Sequence, residues 1–179
     1  QLEWSKAFSK DFMRRHNLPT AKFQTFTDFE KASVYIASHS LPIVIKADGL
    51  AFGKGVIITQ SVVEAQKALE EIMVKKIFGD SGSEVVIEEF MMGPEISIHA
   101  LSDGKSYKIF PSSQDHKRIG DGDTGPNTGG MGVIGPLPFV SKEMMERIEK
   151  EIIAPTFKAM RDDGTPFEGI LYPSLMLTK

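Results

Sequence analysis

Cysteine is absent from the 179 residues, and tryptophan occurs once. The missing thiols exclude disulfides, thiolate nucleophiles and cysteine-based metal sites, and they fit a reducing compartment. No apolar run approaches the roughly 20 residues that a membrane-spanning helix requires, and the N-terminus lacks a signal-peptide core. A surplus of one charge is also missing. The formal net charge of −3 recommends neither nucleic acid nor an anionic membrane as partner. An anionic ligand must therefore be met by cations gathered locally. There is no internal repeat, no low-complexity tract, and no His/Asp/Glu spacing that resembles a zinc site. Together these absences predict a soluble cytoplasmic protein, and 41% hydrophobic residues leave ample material for a core.

What is there is concentrated in Ser113–Gly132, where twenty residues hold six glycines, a Gln-Asp-His-Lys-Arg cluster and almost no large apolar side chain. Such a segment cannot build a core. It predicts a tightly turning loop whose backbone approaches a ligand while charged side chains converge on it. Lys117 and Arg118 can meet negative charge there, and His116 sits among Asp115, Lys117 and Arg118.

The rest alternates between helix and strand signals. Residues 4–16 read as a helix with Trp4, Phe8 and Phe12 on one face, ended by Asn17-Leu18-Pro19. Thr20–Phe26 is a candidate strand, and Thr27-Asp28-Phe29-Glu30 is a capping box opening a helix to about Ser38. Leu41–Ala47 and Val56–Thr59 read as strands around the loop Asp48–Gly55. Ser61 opens a third helix, and Glu84–Phe90 is the next strand. Glu95–Leu101 and Lys105–Pro111 read as a hairpin. Ser141 caps a helix over 142–160 bent at Pro155, and 169–178 is a final strand. The pattern predicts an α+β protein of two lobes with a hinge near Glu88–Gly93. Gln1 opens without an initiator Met and Lys179 follows a strand-like run, so the chain reads as cut from a longer protein at both ends.

Lys46 ends an apolar strand and precedes Ala-Asp-Gly-Leu-Ala-Phe-Gly-Lys-Gly. Backbone N–H groups of Gly49–Gly55 can cradle polyphosphate while Lys46 and Lys54 neutralise it. The spacing is neither a Walker loop nor a dinucleotide fingerprint, and a β-hairpin loop with solvated lysines explains it equally well. Glu88-Glu89-Phe90 can offer main-chain groups to an adenine edge, with Glu95 accepting from ribose hydroxyls; a hinge with exposed acids is the plainer alternative.

Ile43–Ala51, Gly53-Lys54-Gly55-Val56, Val86–Phe90, Gln114–Arg118 and Thr124–Gly132, in this order and spacing, resemble the phosphoribosylamine–glycine ligase family of ATP-grasp enzymes across essentially the whole chain. The resemblance implies an ATP-grasp fold, two α+β lobes clasping ATP and incomplete here at both ends. Residues 1–19 would be a linking helix, 20–90 the small lobe with its glycine-rich lid, and 91–179 part of the large lobe. It implies ligation of glycine to 5-phosphoribosylamine through a glycyl phosphate, with ATP and Mg²⁺. The alternatives are another ATP-grasp carboxylate–amine ligase and a nucleotide-binding fragment inactive by itself.

By the same resemblance, Lys10 and Lys46 touch phosphates and Gly49, Gly53, Lys54, Gly55 and Val56 form the lid. Glu88, Glu89, Phe90 and Glu95 line the adenosine pocket. Gln114, Asp115, Asn127, Thr128, Gly129, Gly130 and Met131 bind substrate, with Lys46, His116, Lys117 and Arg118 as the catalytic candidates. The magnesium ligands are expected beyond Lys179, in segments of the same protein missing here. Phe52 and Pro173-Ser174 depart from the family pattern, which has a small residue and Ala-Gly at these places.

Overall fold

The computed structural model describes residues 2–49, 55–122 and 124–178. The chain divides into two compact units, Gln1–Met91 and Met92–Lys179.

In the first unit, Ser5 fixes where the first helix begins. Its Oγ accepts from the Phe8 N–H at 2.9 Å, and α1 runs Lys6–Arg15. Trp4, expected on the apolar face of this helix, lies before the cap and is exposed, whereas Phe12 is buried. Asn17 takes the left-handed conformation (φ 54°), which lets the Leu18 N–H reach the Met13 carbonyl and close the helix. The first strand, β1, is Phe23–Phe26, shorter than expected. Helix α2 (Phe29–Ala37) is capped one residue later than the sequence indicated, by Asp28 rather than Thr27. A carboxylate there also meets the positive end of the helix dipole. Strands β2 (Ile43–Ala47) and β3 (Val56–Thr59) follow. Helix α3 (Val62–Leu69) is capped by Ser61 and runs on through a π turn. After a 3₁₀ turn, Gly79–Ser83, comes β4 (Val85–Glu89).

These strands form one antiparallel sheet in the order β1-β4-β2-β3. Strand alternation gives the sheet two unlike faces. Ile43, Ile45, Ala47, Val85 and Ile87 pack with Ala32 and Ile36 of α2 and Ala65, Ala68 and Leu69 of α3. Each fully buried isoleucine or leucine contributes about 1.5–3 kcal/mol. The other face carries Val44, Lys46, Val86 and Glu88, beside α1.

The second unit contains β5 (Glu95–Ser97), β6 (Ala100–Asp103), β7 (Tyr107–Ile109), β8 (Gln114–Gly120), β9 (Thr124–Ile134), β10 (Glu168–Leu171) and β11 (Ser174–Met176). The hairpin expected from Glu95 to Pro111 exists as β6–β7, but its first strand is broken. β5 pairs with β11, whereas β6 pairs with β7 and β10. The expected final strand 169–178 breaks in step at Tyr172-Pro173, where the proline has no N–H to donate. The long helix is α4 (Lys142–Ile148), a π turn (Glu149–Ile153) and α5 (Ala154–Asp162). The wider turn just before Pro155 takes up the lost hydrogen bond, as π bulges do. Ile153 and Phe157 pack on Ile96, Ile98 and Ala100.

The largest correction concerns Ser113–Gly132. It is not an irregular loop: β8 and β9 form an antiparallel hairpin with two register shifts, between His116 and Arg118 and between Arg118 and Gly120. A two-stranded ladder satisfies backbone groups without a core, so low hydrophobicity did not preclude strands. The shifts and the positive φ of Gly125 and Gly130 take up the irregularity that the glycines foreshadow.

Candidate functional site

In the first unit, Lys10 of α1 and Lys46 of β2 converge on one carboxylate. Glu88 Oε2 accepts from Lys46 Nζ at 2.8 Å, and Glu88 Oε1 stands 3.2 Å from Lys10 Nζ. Lys10 Nζ also donates to Thr20 Oγ1 at 2.6 Å. Oε1 has the Lys10 charge beside it but no aligned hydrogen bond. Cross-strand register explains the meeting: Glu88 lies opposite Val44, so Lys46 is its diagonal neighbour on the same face. Lys10 and Glu88 are buried, while a quarter of the Lys46 side chain faces solvent. Burial holds the Lys10 ammonium below the ordinary lysine range; Glu88 opposes that shift and Lys46 reinforces it. Two ammonium groups share one carboxylate, so the cluster retains a positive charge with which to meet an anion.

Sequence reasoning missed Lys6. Its Nζ donates to the carbonyls of Ala47 and Gly49 at 2.9 Å each and of Asp48 at 3.3 Å. Burial lowers its pKa first, with Asp48 opposing and Lys46 adding to the shift. Asp48 Oδ1 returns the tie, accepting from Ser5 Oγ at 3.0 Å and the Ala7 N–H at 2.6 Å. The end of β2 and the start of α1 thus hold each other, placing the base of the glycine-rich segment beside Lys46. The signal available was Ser5-Lys6 opening the helix that carries Lys10, four residues on. Gly49 is packed so closely that a Cβ there would strike Ser81 Oγ. Gly55 is buried and its carbonyl accepts from the Ala47 N–H at 2.9 Å, whereas Val56 is exposed. Gly53, Lys54, Phe52 and the Asn127 side chain lie outside the described residues.

Glu89 does not join the lysine cluster. Its Oε1 accepts from the Lys22 N–H at 2.8 Å, steadying the approach to β1. Phe90 is half-buried just past β4.

The remaining expected residues belong to the second unit. Glu95 Oε1 accepts from Lys117 Nζ at 2.8 Å and Ser174 Oγ at 2.6 Å, and the Glu95 carbonyl accepts from Gln114 Nε2 at 2.9 Å. Burial pulls the Lys117 pKa down, but the hydrogen bond and charge of Glu95 outweigh it and leave the pKa raised. Thr128 Oγ1 donates to the Lys117 carbonyl and accepts from the Gly130 N–H. Arg118 Nη1 donates to the Gly125 carbonyl at 2.9 Å. His116 and Met131 are exposed on the hairpin.

Behind the hairpin is a cavity of about 310 Å³ whose walls include Ser97, His99, Asp115, Gly129, Gly130 and Tyr172. Asp115 Oδ1 lies where a Cβ on Gly130 would approach to 2.9 Å. The His99 and Tyr172 rings stack at 4.5 Å and 3°, and the Tyr172 hydroxyl hydrogen-bonds Ser97 Oγ at 3.0 Å. Neither His99 nor Tyr172 stood out in the sequence, because each lies at a strand break that only the fold pairs.

The magnesium ion implied by the resemblance does not fit these side chains. Among the described residues no three His, Asp or Glu groups are placed to hold a metal, and both oxygens of Glu88 face ammonium groups. No helix among the described residues is long and apolar enough to cross a membrane.

Comparison with solved structures defines the fold class. The chain superposes on D-alanyl-alanine synthetase A from Vibrio cholerae with a TM-score of 0.72 at 15% identity, covering 99% of this chain and 52% of that one. The description of the family that residues 4–179 match identifies this as the ATP-grasp fold, as the sequence indicated. The phosphoribosylamine–glycine ligase of Thermotoga maritima gives a TM-score of 0.93 at 38% identity over 99% of this chain and 45% of that chain. The phosphoribosylamine–glycine ligase of Chlorobaculum tepidum is 51% identical over 180 aligned residues, covering all of this chain and 42% of that protein. Residues 4–179 match the family described as phosphoribosylglycinamide synthetase, ATP-grasp (A) domain, and the chain belongs to that family. It spans less than half the length of these relatives.

Proposed function

We propose that the protein carrying this chain ligates glycine to 5-phosphoribosylamine at the expense of ATP, giving glycinamide ribonucleotide, ADP and phosphate in the cytoplasm. The observation that carries the reading is the convergence of Lys10 and Lys46 on Glu88, within a chain half identical to a named phosphoribosylamine–glycine ligase. In the first step a glycine carboxylate oxygen bonds to the γ-phosphorus as the bond to the β–γ bridging oxygen breaks, leaving ADP and glycyl phosphate. The amine then forms the C–N bond, phosphate departs with the acyl C–O bond pair, and the amine's proton passes to solvent.

Electrostatic preorganisation is what these residues supply. Glu88 orients both ammonium groups before the nucleotide arrives, so little reorganisation is needed when the polyphosphate meets them. Lys46, the more exposed of the two, is the phosphate's first contact. Lys6 and Asp48 fix the base of the glycine-rich segment, with Gly49 and Gly55 at its two ends and Gly53 and Lys54 within it. Glu88, Glu89 and Phe90 serve the adenosine. On the acceptor side stand Gln114, Asp115, Asn127, Thr128, Gly129, Gly130 and Met131, with His116, Lys117 and Arg118 along the same hairpin. The magnesium that this chemistry uses would be held by residues other than those described.

The test uses the full-length protein with ATP, isotopically labelled glycine and freshly generated 5-phosphoribosylamine. One labelled amide should appear per ADP and per phosphate released. Labelled amide formed only with a different amine would assign the protein to another carboxylate–amine ligase. Nucleotide binding without any amide would leave a binding module and refute the reading.

A further inference from the structure

An aspartate followed by glycine is a point at which a main chain can rearrange covalently. The glycine nitrogen reaches the aspartate carboxyl carbon with no Cβ in the way. The sequence contains four such steps, Asp48-Gly49, Asp103-Gly104, Asp121-Gly122 and Asp163-Gly164, and no Asn-Gly. Three of the four are held by their surroundings. Asp48 Oδ1 accepts from Ser5 Oγ at 3.0 Å and from the Ala7 N–H at 2.6 Å. Asp103 Oδ1 accepts from the Ser106 N–H at 2.7 Å and the Lys105 N–H at 2.9 Å, while the Gly104 N–H donates to Ser102 Oγ at 3.0 Å. The Ser106 N–H, followed by that of Lys105, also holds the Asp103 pKa below the usual carboxylate range, which favours the ionised form that resists attack. At the last step the Gly164 N–H donates to the Arg161 carbonyl at 2.9 Å.

Asp121-Gly122 is different. It follows β8 at the tip of the β8–β9 hairpin, and both residues are exposed. Among the described residues, neither the Asp121 carboxylate nor the Gly122 N–H has a hydrogen-bond partner. Gly122 has φ 69°, and no atom stands within 4 Å of the place a Cβ would take. The Asp121 carbonyl accepts from Thr124 Oγ1 at 2.9 Å. That bond leaves the side chain and the next N–H free to turn toward each other, and it polarises the main-chain carbonyl carbon.

We propose that Asp121-Gly122 is the step at which the folded protein converts aspartate to isoaspartate, at the tip of the hairpin that carries His116, Lys117 and Arg118. The Gly122 nitrogen bonds to the Asp121 side-chain carboxyl carbon. One carboxyl oxygen leaves as water, taking the proton of the N–H, and an imide ring closes. The ring then takes up one water. Attack at the side-chain carbonyl restores aspartate. Attack at the main-chain carbonyl, the one Thr124 polarises, leaves the chain running through the Asp121 side chain. No other reactant is consumed, and the final mass is unchanged. The carbonyl that Thr124 holds becomes a free carboxylate, and the turn between Gly120 and Thr124 gains one methylene.

The experiment incubates the full-length protein and its Asp121→Glu variant in water carrying a heavy oxygen isotope, at neutral pH and physiological temperature. Trypsin digestion in ordinary water then separates the four steps into the peptides 47–54, 77–105, 119–142 and the one beginning at 162. Ring opening leaves one heavy oxygen in the peptide, and electron-transfer fragmentation places the isoaspartate at Asp121 or at Asp123. The Asp121 peptide should gain label at least about 5-fold faster than the other three, the scale of one hydrogen bond that must open before attack. In urea all four should gain label at similar rates, because the protection is structural. Asp121→Glu should remove the label from its peptide, since glutamate would have to close a larger and slower ring. Equal rates in the folded protein overturn the proposal, as does faster labelling at any of the other three steps. Label that survives Asp121→Glu overturns it too and assigns the chemistry to Asp123. An Asp121 peptide that labels in urea but not in the folded protein shows the turn to be protective, which also refutes the assignment.

Discussion

Replacing Glu88 with glutamine keeps its shape and removes the charge that two lysines share. Breaking a buried ion pair costs about 3–5 kcal/mol, because the surviving charge is left uncompensated. Lys10 is enclosed, but a quarter of Lys46 is exposed and can rehydrate, so we expect a loss of about 2–4 kcal/mol at pH 7. The pH dependence is more telling. Lys10 has a folded pKa below its unfolded value, so between the two the unfolded chain binds more protons. Stability in that window rises with pH, by at most about 1.4 kcal/mol per pH unit for one group. Glu88 is what holds the Lys10 pKa up against burial. Without it the window opens at lower pH, and the variant regains stability sooner as the solution becomes alkaline. The difference between the proteins should therefore shrink as the pH is raised from neutrality toward the ordinary lysine range. Tyr35 and Tyr107, whose pKa values burial raises, act equally in both proteins and cancel. Urea unfolding followed by far-ultraviolet circular dichroism at several pH values measures the difference. A destabilisation that stays constant over that range would refute the argument, because Lys10 would then not be titrating under the control of Glu88.

Lys46→Ala should weaken ATP binding by about 1–3 kcal/mol, the worth of one charge-assisted hydrogen bond; unchanged affinity in titration calorimetry would remove Lys46 from the phosphate site. Asp48→Ala should cost about 1–2 kcal/mol of stability by releasing the Ser5 hydroxyl and the Ala7 N–H at the start of α1, and a melting temperature equal to wild type would contradict that. Gly82→Ala would drive a Cβ into the Ile72 carbonyl in the buried heart of the first unit. The strain should destabilise by about 1–3 kcal/mol, whereas Gly129→Ala, with open space around it, should unfold at nearly the wild-type urea concentration.

The parts of this fold visible in the sequence were those governed by local chemistry. Ser5, Ser61 and Ser141 cap helices, although only the latter two were read as caps. Ile43–Ala47 forms a strand because an apolar run between turn signals has few other uses. Lys46 was legible because a lysine closing such a run is conspicuous. Other features depend on partners distant in sequence. Asp28 rather than Thr27 caps α2, a choice of one residue that propensity does not resolve. The hairpin of Ser113–Gly132 was read as a loop because hydrophobic alternation marks half-buried strands, and these strands bury little. Lys6 was marked only by its place at the start of the helix that carries Lys10, since its partners are main-chain carbonyls 41 to 43 residues away.

The cavity in the second unit arises from two interruptions that coincide. β5 and β11 are paired from Glu95 to Ser97, and β6 and β10 from Ala100 to Asp103. Between them, Ile98-His99 and Tyr172-Pro173 leave both ladders at the same level. Had one strand alone broken, its neighbour would have carried unpaired backbone groups into the core, at a cost of about 1–3 kcal/mol each. With both broken in register, the Ile98 N–H still finds the Pro173 carbonyl at 3.2 Å, and His99 and Tyr172 are freed to stack. Pro173 enforces the break from one side by having no N–H to offer. Ser174, immediately after it, returns to the ladder and spends its hydroxyl on Glu95. Replacing Pro173 alone should therefore leave the break in place, because the His99–Tyr172 stack and the Ser97–Tyr172 hydrogen bond hold it through side chains. Removing the Tyr172 ring should collapse the wall even though the backbone around it is unchanged.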